Sequence, residues 1–403
     1  MPDTVLIDAY ATEVKAEFES ILEFWMKNLP DENYGGYAGR IKGDNARDQI
    51  SEKGAVLNSR ILWTFSAAYN HTGEGQYLEY ADRAYRYLVE HFIDPVHGGV
   101  YWTLNQNGEP AETKKLISAQ AFAIYGLSEY FKCDPLVEVL SAAVNIFKLI
   151  EEHGLDKVNG GYAEAFDREW APLEDQRVHD NDENEKKSMK TQLHLVEAYA
   201  SLFMVWQDEK LKSALVALLN NFNEHIINKE TGHVELFFDE KWNPKSNIVS
   251  YGHDIEAAWL LVEAAGLTGE EELMEKFQQV AVRLAGAATE GLDDDGALWY
   301  EKVNGNMIRE KHWWPQAEAM VGFFNTWQLS NDVSFLERSI NSWRFIQQVL
   351  LDTPAGEWHW GVDEHNNPLP GKDKAGIWKC PYHNVRACIE ILNRTTTMGL
   401  SAD

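Results

Sequence analysis

An internal repeat is the feature of this sequence that most constrains its fold. Glycine-led segments that run into aromatic residues recur along the chain: GGYAGR from Gly35, GGVYW from Gly98, GGYAEAF from Gly160, GHVELFF from Gly232, GALWYEK from Gly296 and GEWHWGV from Gly356. Between Gly36, Gly99, Gly161, Gly232, Gly296 and Gly356 the steps are 63, 62, 71, 64 and 60 residues. A fixed period of this size indicates a repeat architecture, with two helices and a hairpin in each unit.

Between these glycines the apolar residues have helical spacing. Phe18, Ile21, Leu22 and Trp25 recur at intervals of three or four residues, so each repeat is predicted to hold two helices. Helix pairs can stack as an open solenoid, which needs polar capping repeats at both ends, or close into a ring. The first predicted helix and the last, at 386–392, both present apolar faces, which favours a closed ring.

The closed ring predicts an all-α fold with six inner and six outer helices and short hairpins at one end. Residues 1–403 would form a single domain without a linker. The inner helices are predicted at roughly 52–70, 114–131, 188–206, 252–266, 312–329 and 379–393.

Charge and composition exclude several classes of protein. The chain has 36 Lys and Arg against 64 Asp and Glu, a formal net charge of −28 that repels nucleic-acid phosphates and anionic lipid. No apolar run approaches the roughly 18 residues of a membrane span, and the acidic N-terminus lacks the pattern of a signal peptide. Three cysteines are too few for a disulfide framework or a zinc site. We therefore expect a cytoplasmic protein with neither a nucleic-acid nor a membrane partner.

Ionisable and indole side chains cluster near the predicted starts of the inner helices, where they would line one mouth of the ring. His253, Glu256 and Trp259 stand at i, i+3 and i+6, and Trp314 and Glu318 at i and i+4, so each set shares a helix face. Three histidines at similar repeat positions favour a site over isolated core imidazoles. The full set is Arg60, Ser118, Gln120, Lys190, His194, His253, Glu256, Trp259, Trp314, Glu318 and His383.

Seven motifs in this chain, in this order, carry a family resemblance. They are NSRILWTFSAAY at Asn58 to Tyr69, HGGVYW at His97 to Trp102, QAFAIYGLSEY at Gln120 to Tyr130, DREWAPLED at Asp167 to Asp175, GHDIEAAWLL at Gly252 to Leu261, WWPQAEA at Trp313 to Ala319 and WKCPYHNVRA at Trp378 to Ala387. The chain thereby resembles the N-acylglucosamine 2-epimerase and cellobiose 2-epimerase family over nearly its full length.

The resemblance implies an (α/α)6 barrel and a carbohydrate 2-epimerase. By its motifs, His253 and His383 are the two acid/base groups. Its sugar-binding arginine corresponds to Arg60 and its helix-six histidine to His194. The remaining pocket residues that it implies are Glu256, Trp259, Trp314 and Glu318.

The chemistry of C2 epimerisation agrees with these assignments. A weakly acidic C2 proton next to the open-chain aldehyde must leave one face, and a proton must return to the opposite face. Two histidines suit this task because their pKa lies near the working pH. Arg60 and His194 would hold the enediolate oxyanion, and Trp259 and Trp314 would stack on sugar faces. No metal and no other cofactor is required.

The expected substrate depends on three departures from the disaccharide epimerases of this family. Ser118, Lys190 and Gln192 replace residues of the patterns K-x-x-Y-x-Q-A-F and N-T-H-L-H. They favour unphosphorylated monosaccharides, so that the enzyme would interconvert D-glucose and D-mannose. The alternatives are a cellobiose or mannobiose 2-epimerase and a mannose–fructose aldose-ketose isomerase. The only partner expected is the small-molecule sugar, with the chain as a monomer or homodimer.

Other interpretations are weaker. Glu256 and Glu318 could form the carboxylate pair of a glycoside hydrolase, but this leaves the histidines without a role. Another alternative is a protein-binding role without sugar turnover. The acidic run 180–185 lacks the glycine and the distal glutamate of a calcium loop, and is predicted to be solvated. Cys380 is predicted to be a packed thiol rather than a nucleophile.

Overall fold

The computed structural model describes residues 4–178, 182–353 and 355–397. Within these ranges twelve α-helices alternate between an inner and an outer layer. The inner helices are α2 (Ala55–Thr72), α4 (Ile117–Cys133), α6 (Met189–Val205), α8 (Tyr251–Thr268), α10 (Trp313–Ser330) and α12 (Tyr382–Thr397). The outer helices are α1 (Thr4–Asn28), α3 (Gly75–Tyr87), α5 (Val137–Leu149), α7 (Glu209–Asn221), α9 (Glu271–Ala288) and α11 (Val333–Phe345).

The inner helices form a closed ring. Each contacts the next along the chain, and α12 contacts α2, while each outer helix packs on an inner one and α1 packs on α12. Two glycines allow inner helices to approach closely, because a Cβ on Gly126 or Gly322 would lie within 2.7 Å of a backbone oxygen of the neighbouring helix. The predicted all-α (α/α)6 barrel is confirmed. In the described residues, no helix is long and apolar enough to cross a membrane.

Short antiparallel strands join neighbouring repeats at one end of the ring. They are β1 (Lys53–Gly54), β2 (Thr103–Leu104), β3 (Lys115–Leu116), β4 (Ala165–Phe166), β5 (Lys187–Ser188), β6 (Phe237–Phe238), β7 (Ile248–Ser250), β8 (Glu301–Val303), β9 (Asn306–Ile308), β10 (Lys311–His312) and β11 (Gly361–Val362). The pairs are β1 with β2, β3 with β4, β5 with β6 and β10 with β11, and β8 lies between β7 and β9. Most inner helices thus begin directly after a strand, and all six begin within three residues of the predicted start.

Six glycines, one in each repeat, explain why the repeat is visible in the sequence: Gly36, Gly99, Gly161, Gly232, Gly296 and Gly356. All six have φ between 59° and 88°, a left-handed conformation that glycine adopts at little cost. At Gly161 a side chain would also collide with the Trp242 ring, since a Cβ there would lie 2.3 Å from it.

Two types of polar residue, a lysine and a glutamine, recur where the inner helices begin. Buried lysines just before the helices pair with carboxylates, as in Lys53 with Asp31 at 2.8 Å, because a buried ammonium group needs a counter-ion. Early in three inner helices a glutamine amide both donates to and accepts from the backbone of one hairpin residue. These glutamines are Gln120, Gln192 and Gln316. Both contacts hold the hairpins rigidly against the helix starts, where the site lies.

Candidate active site

A cavity of about 490 Å³ lies at the end of the ring where the inner helices begin. Most of the residues predicted for the site line it: Arg60, Lys190, His194, His253, Glu256, Trp314 and His383. The hairpins contribute aromatic and acidic side chains that the sequence analysis used only as repeat or motif signals, among them Phe237, Tyr300, Glu301, Trp360 and Trp378. A second cavity of about 560 Å³ adjoins the first and shares Trp360 and Lys372 with it.

His383 lies in the first turn of α12 and is buried. Its Nδ1 is 2.6 Å from Oε1 of Glu318, which leaves Nε2 as the ring nitrogen free of that contact. Burial, together with the positive charges of Arg60 and Arg386, holds the pKa of His383 well below its usual range. The imidazole is therefore neutral at neutral pH and ready to accept a proton.

An ion cluster that the sequence analysis missed lies beneath His383. Arg386, fully buried, donates through Nη2 to Glu318 at 2.7 Å and to Glu256 at 3.1 Å, and through Nη1 to Glu197 and the Tyr382 hydroxyl. The signal that could have found it is an arginine three residues after a predicted catalytic histidine, within the buried face of an inner helix. One guanidinium thus holds carboxylates from three inner helices.

Burial raises the pKa of both Glu256 and Glu318, although Arg386 opposes the rise. At Glu197 burial also acts upward, but Arg386 and His194 outweigh it and lower the pKa to about 2. Glu197 is therefore ionised throughout the neutral range, and it can only accept hydrogen bonds.

His253 has a different setting, in the first turn of α8. Its Nδ1 lies 2.7 Å from the Ser250 hydroxyl, and the ring is only partly buried. Trp314 lies beside both histidines, with ring centroids 4.7 Å from His253 and 5.8 Å from His383. The two imidazoles thus flank one tryptophan that lines the cavity.

Arg60, on α2, and His194, on α6, line the same cavity. The Arg60 guanidinium lies over the rings of Phe122 and Tyr382, at 4.1 and 4.7 Å, and donates to the Trp378 carbonyl. His194 contacts Oε2 of Glu197 through Nδ1 at 2.8 Å. Because Glu197 is ionised, the Nδ1 proton belongs to His194. Burial lowers the pKa of His194, so its Nε2 carries a lone pair at neutral pH.

Four of the predicted site residues do not line the cavity, and one of these is the hairpin-binding Gln120. Trp259 is buried below it, where its Nε1 donates to Glu318 at 2.9 Å and its ring packs on Arg386, so it supports the ion cluster instead of facing a sugar. Glu318 is enclosed between Trp259, Arg386 and His383. Ser118 is 3% exposed in the first turn of α4.

Of the three departures taken as substrate contacts, only Lys190 faces the cavity. Gln192 is one of the hairpin-binding glutamines and is fully buried. Lys190 is ion-paired to Asp182 at 2.6 Å. In the acidic run 180–185, residues 180 and 181 lie outside the described residues. Cys380 is buried, with its sulfur 3.8 Å from a guanidinium nitrogen of Arg60.

One group in the described residues has the geometry to hold a metal ion. Glu256, Glu318 and His383 offer ligand atoms within 4.8 Å of one another. Arg386 already binds both carboxylates, so a divalent cation would have to displace a buried guanidinium. The residues therefore fit an ion cluster better than a metal site, and the absence of a metal remains a prediction.

Comparisons with known proteins agree on one family. A family model described as N-acylglucosamine 2-epimerase matches residues 27–387. A cellobiose 2-epimerase of Bacteroides fragilis is 47% identical over 374 residues, covering 92% of this chain and 95% of that protein. The structure of a cellobiose 2-epimerase from Bacillus thermoamylovorans superimposes with a TM-score of 0.93 at 36% identity, covering 96% and 99% of the two chains. A D-mannose isomerase, at 21% identity and a TM-score of 0.83 over 95% and 98% of the chains, shows a shared fold alone.

Proposed function

Because the chain belongs to the N-acylglucosamine 2-epimerase family and is a carbohydrate 2-epimerase, we propose that it inverts C2 of the reducing-end glucose of cellobiose, with His253 and His383 as the two acid/base groups. The observation that carries the mechanism is the pair of imidazoles flanking Trp314 in one cavity, each with Nδ1 engaged behind it. We assign the proton exchange with the substrate to Nε2 of each ring.

Cellobiose is favoured as the substrate for two reasons. Relatives at 36–47% identity over nearly the whole chain are named for it. In addition, two of the three residues that predicted a monosaccharide, Ser118 and Gln192, do not line the cavity. Glucose and mannose remain the sequence-based prediction.

The mechanism begins with opening of the sugar ring. The lone pair on His194 Nε2 suits removal of the O1 proton and its return to the ring oxygen, and ionised Glu197 stabilises the transient imidazolium. This differs from the expected oxyanion role of His194, because a neutral ring with its proton on Nδ1 has no proton on Nε2 to donate.

In the open-chain aldehyde, one imidazole removes the C2 proton and an enediolate forms. The other histidine, as imidazolium, then protonates C2 on the opposite face, and the roles exchange in the reverse direction. Neutral His383 is suited to start as the base. Arg60 stabilises the enediolate oxygen, since its guanidinium is oriented by two aromatic rings and a carbonyl.

The experiment is incubation with cellobiose, glucose, mannose or fructose, each separately, in D2O. We expect the mannose-ended epimer of cellobiose, with deuterium at C2 of its reducing end. Exchange confined to glucose and mannose would favour the monosaccharide epimerase. Deuterium at C1 of a ketose would favour the isomerase. The variant His383→Asn serves as the control for contaminating activity.

Hydrolysis has less support than epimerisation. Paired hydrolytic carboxylates stand about 5–5.5 Å apart in retaining enzymes and about 6.5–9.5 Å apart in inverting ones. Glu256 and Glu318 approach within 4.8 Å, share Arg386, and only Glu256 lines the cavity.

A further inference from the structure

Strand β7, which directly precedes α8, pairs with strand β8 and so places the carboxylate of Glu301 near His253. Ser250, the last residue of β7, is directly opposite Glu301, the first residue of β8. Side chains of directly opposed residues in an antiparallel pair point to the same face with Cβ atoms about 4.5–5.5 Å apart. Glu301 lines the cavity, and the neighbouring Ser250 hydroxyl favours the ionised form of its carboxyl group by lowering its pKa. The same hydroxyl contacts Nδ1 of His253 at 2.7 Å.

The chemistry of these three groups fixes the direction of the hydrogen bonds. A carboxylate only accepts, and a serine hydroxyl has one proton to donate. When that proton goes to Glu301, the serine oxygen accepts from Nδ1–H of His253. The lone pair of the imidazole is then on Nε2. Burial raises the pKa of Glu301 to about 7, although the positive charge of Lys190 opposes the rise. This arrangement of hydrogen bonds therefore holds above about pH 7, where Glu301 is mostly ionised.

We propose that Glu301 is a positioning residue, which acts through Ser250 to hold His253 in the tautomer that works as a base. The proposal rests on the proposed function. It gives Glu301 the role toward His253 that Glu318 has toward His383. The two arrangements differ in one link, because Glu318 contacts His383 directly while Glu301 reaches His253 through a hydroxyl.

The test compares Ser250→Ala and Glu301→Ala with the wild-type enzyme. We expect kcat to fall about 10- to 100-fold, the range found when the hydrogen-bond partner behind a metal-bound histidine is removed, with KM little changed. Ser250→Thr keeps the hydroxyl and should recover most of the rate. Lys302→Gln is the matched control, because Lys302 is the next residue in β8 and points to the opposite face.

A second readout separates positioning from a general loosening of the site. Each epimer gives its C2 proton to a different histidine, so both epimers are prepared with deuterium at C2. If Ser250→Ala slows only the transfer at His253, the isotope effect on kcat/KM rises for one epimer and falls for the other. Glu318→Gln should shift the two isotope effects in the opposite sense.

Shifts in the same direction for both epimers, or a kcat unchanged in Ser250→Ala and Glu301→Ala, would overturn the proposal. Thermal unfolding of each variant shows whether it is folded, and Ser250→Thr provides a second route if an alanine variant is not. A wild-type enzyme that does not exchange the C2 proton of any sugar tested would instead contradict the proposed function.

Discussion

The two histidines of the site, His253 and His383, have different surroundings, and comparing them is informative. Both histidines lie in the first turn of an inner helix and contact Trp314. His383 is buried above an ion cluster, and Glu318 contacts its Nδ1 directly. His253 is partly exposed at the edge of a short sheet, and a serine hydroxyl contacts its Nδ1.

The difference shows how one repeat position can supply two chemical roles. The positive charges of Arg60 and Arg386 keep His383 neutral, whereas His253 lies nearer solvent and a hairpin. A two-base reaction needs one imidazole free of its proton while the other carries one. Unequal surroundings permit that state, because identical ones would favour the same protonation state in both rings.

The largest effect is expected on removing either histidine. His253→Asn and His383→Asn should each reduce the epimerisation rate by about 10²- to 10⁴-fold or more, the contribution of a proton-transfer group. Initial rates on cellobiose measure this, and circular dichroism shows whether the fold survives. A variant that keeps more than about a tenth of the wild-type rate would remove that histidine from the pair.

The two surroundings should also differ in their importance for stability. Arg386→Met leaves three buried carboxylates without their cation, so we expect unfolding free energy to fall by about 3–5 kcal/mol. Ser250→Ala removes the hydroxyl between His253 and the Glu301 carboxylate and should cost less, about 1.5–3 kcal/mol. Urea denaturation of both variants measures the difference. Equal losses would mean that the ion cluster is no more important to the fold than the hydroxyl.

The low pKa of His383 makes the free energy of unfolding depend on pH, and its direction follows from the sign of the shift. In the unfolded chain this ring takes up a proton near pH 6.5, while the folded protein keeps it neutral. The unfolded state then binds more protons, so this group destabilises the protein as pH falls below about 6.5, by at most about 1.4 kcal/mol per pH unit. His383→Asn lacks this contribution. Denaturation at pH 7.5 and 5.5 should therefore show a smaller acid-side loss in the variant than in the wild type.

A substitution of Lys190 tests how much the charged groups near His253 contribute to activity. Lys190→Asn removes the ion pair with Asp182 and the positive charge near Glu301. We expect less than about a tenfold change in kcat/KM for cellobiose, because Lys190 is paired with Asp182 and is not one of the proton-transfer groups. Ser118→Ala is the matched control and should leave the ratio of cellobiose to glucose activity unchanged. A switch in sugar preference in Lys190→Asn alone would make Lys190 a specificity residue.

The smallest effect is expected from metal removal. Glu256, Glu318 and His383 could ligate a cation only if Arg386 withdrew. Activity should therefore be unchanged after dialysis against EDTA. Loss of activity that returns on adding Mg²⁺ or Mn²⁺ would contradict the two-histidine mechanism and would favour a metal-assisted hydride shift.

Local patterns in the sequence were enough to predict the ring and the position of seven of the residues that line the cavity. Glycines that need positive φ recur once per repeat and reveal its period, and helical spacing separates the buried faces. The starts of the inner helices all meet at one end of a closed ring. For this reason His253, His383, Arg60 and His194 could be assigned to one site from repeat position alone.

The contacts behind the cavity depended on the tertiary structure. Arg386 lies 130 residues from Glu256 and 189 from Glu197, and Glu318 meets His383 across 65 residues. Periodicity predicts which side of a helix faces inward, but not how deep a side chain lies or what it meets on another helix. Trp259 and Gln192 share the inward face with cavity residues, yet they lie below the cavity and against a hairpin. Ring closure sets these depths and partners, because it brings together segments between which the sequence shows no local relation.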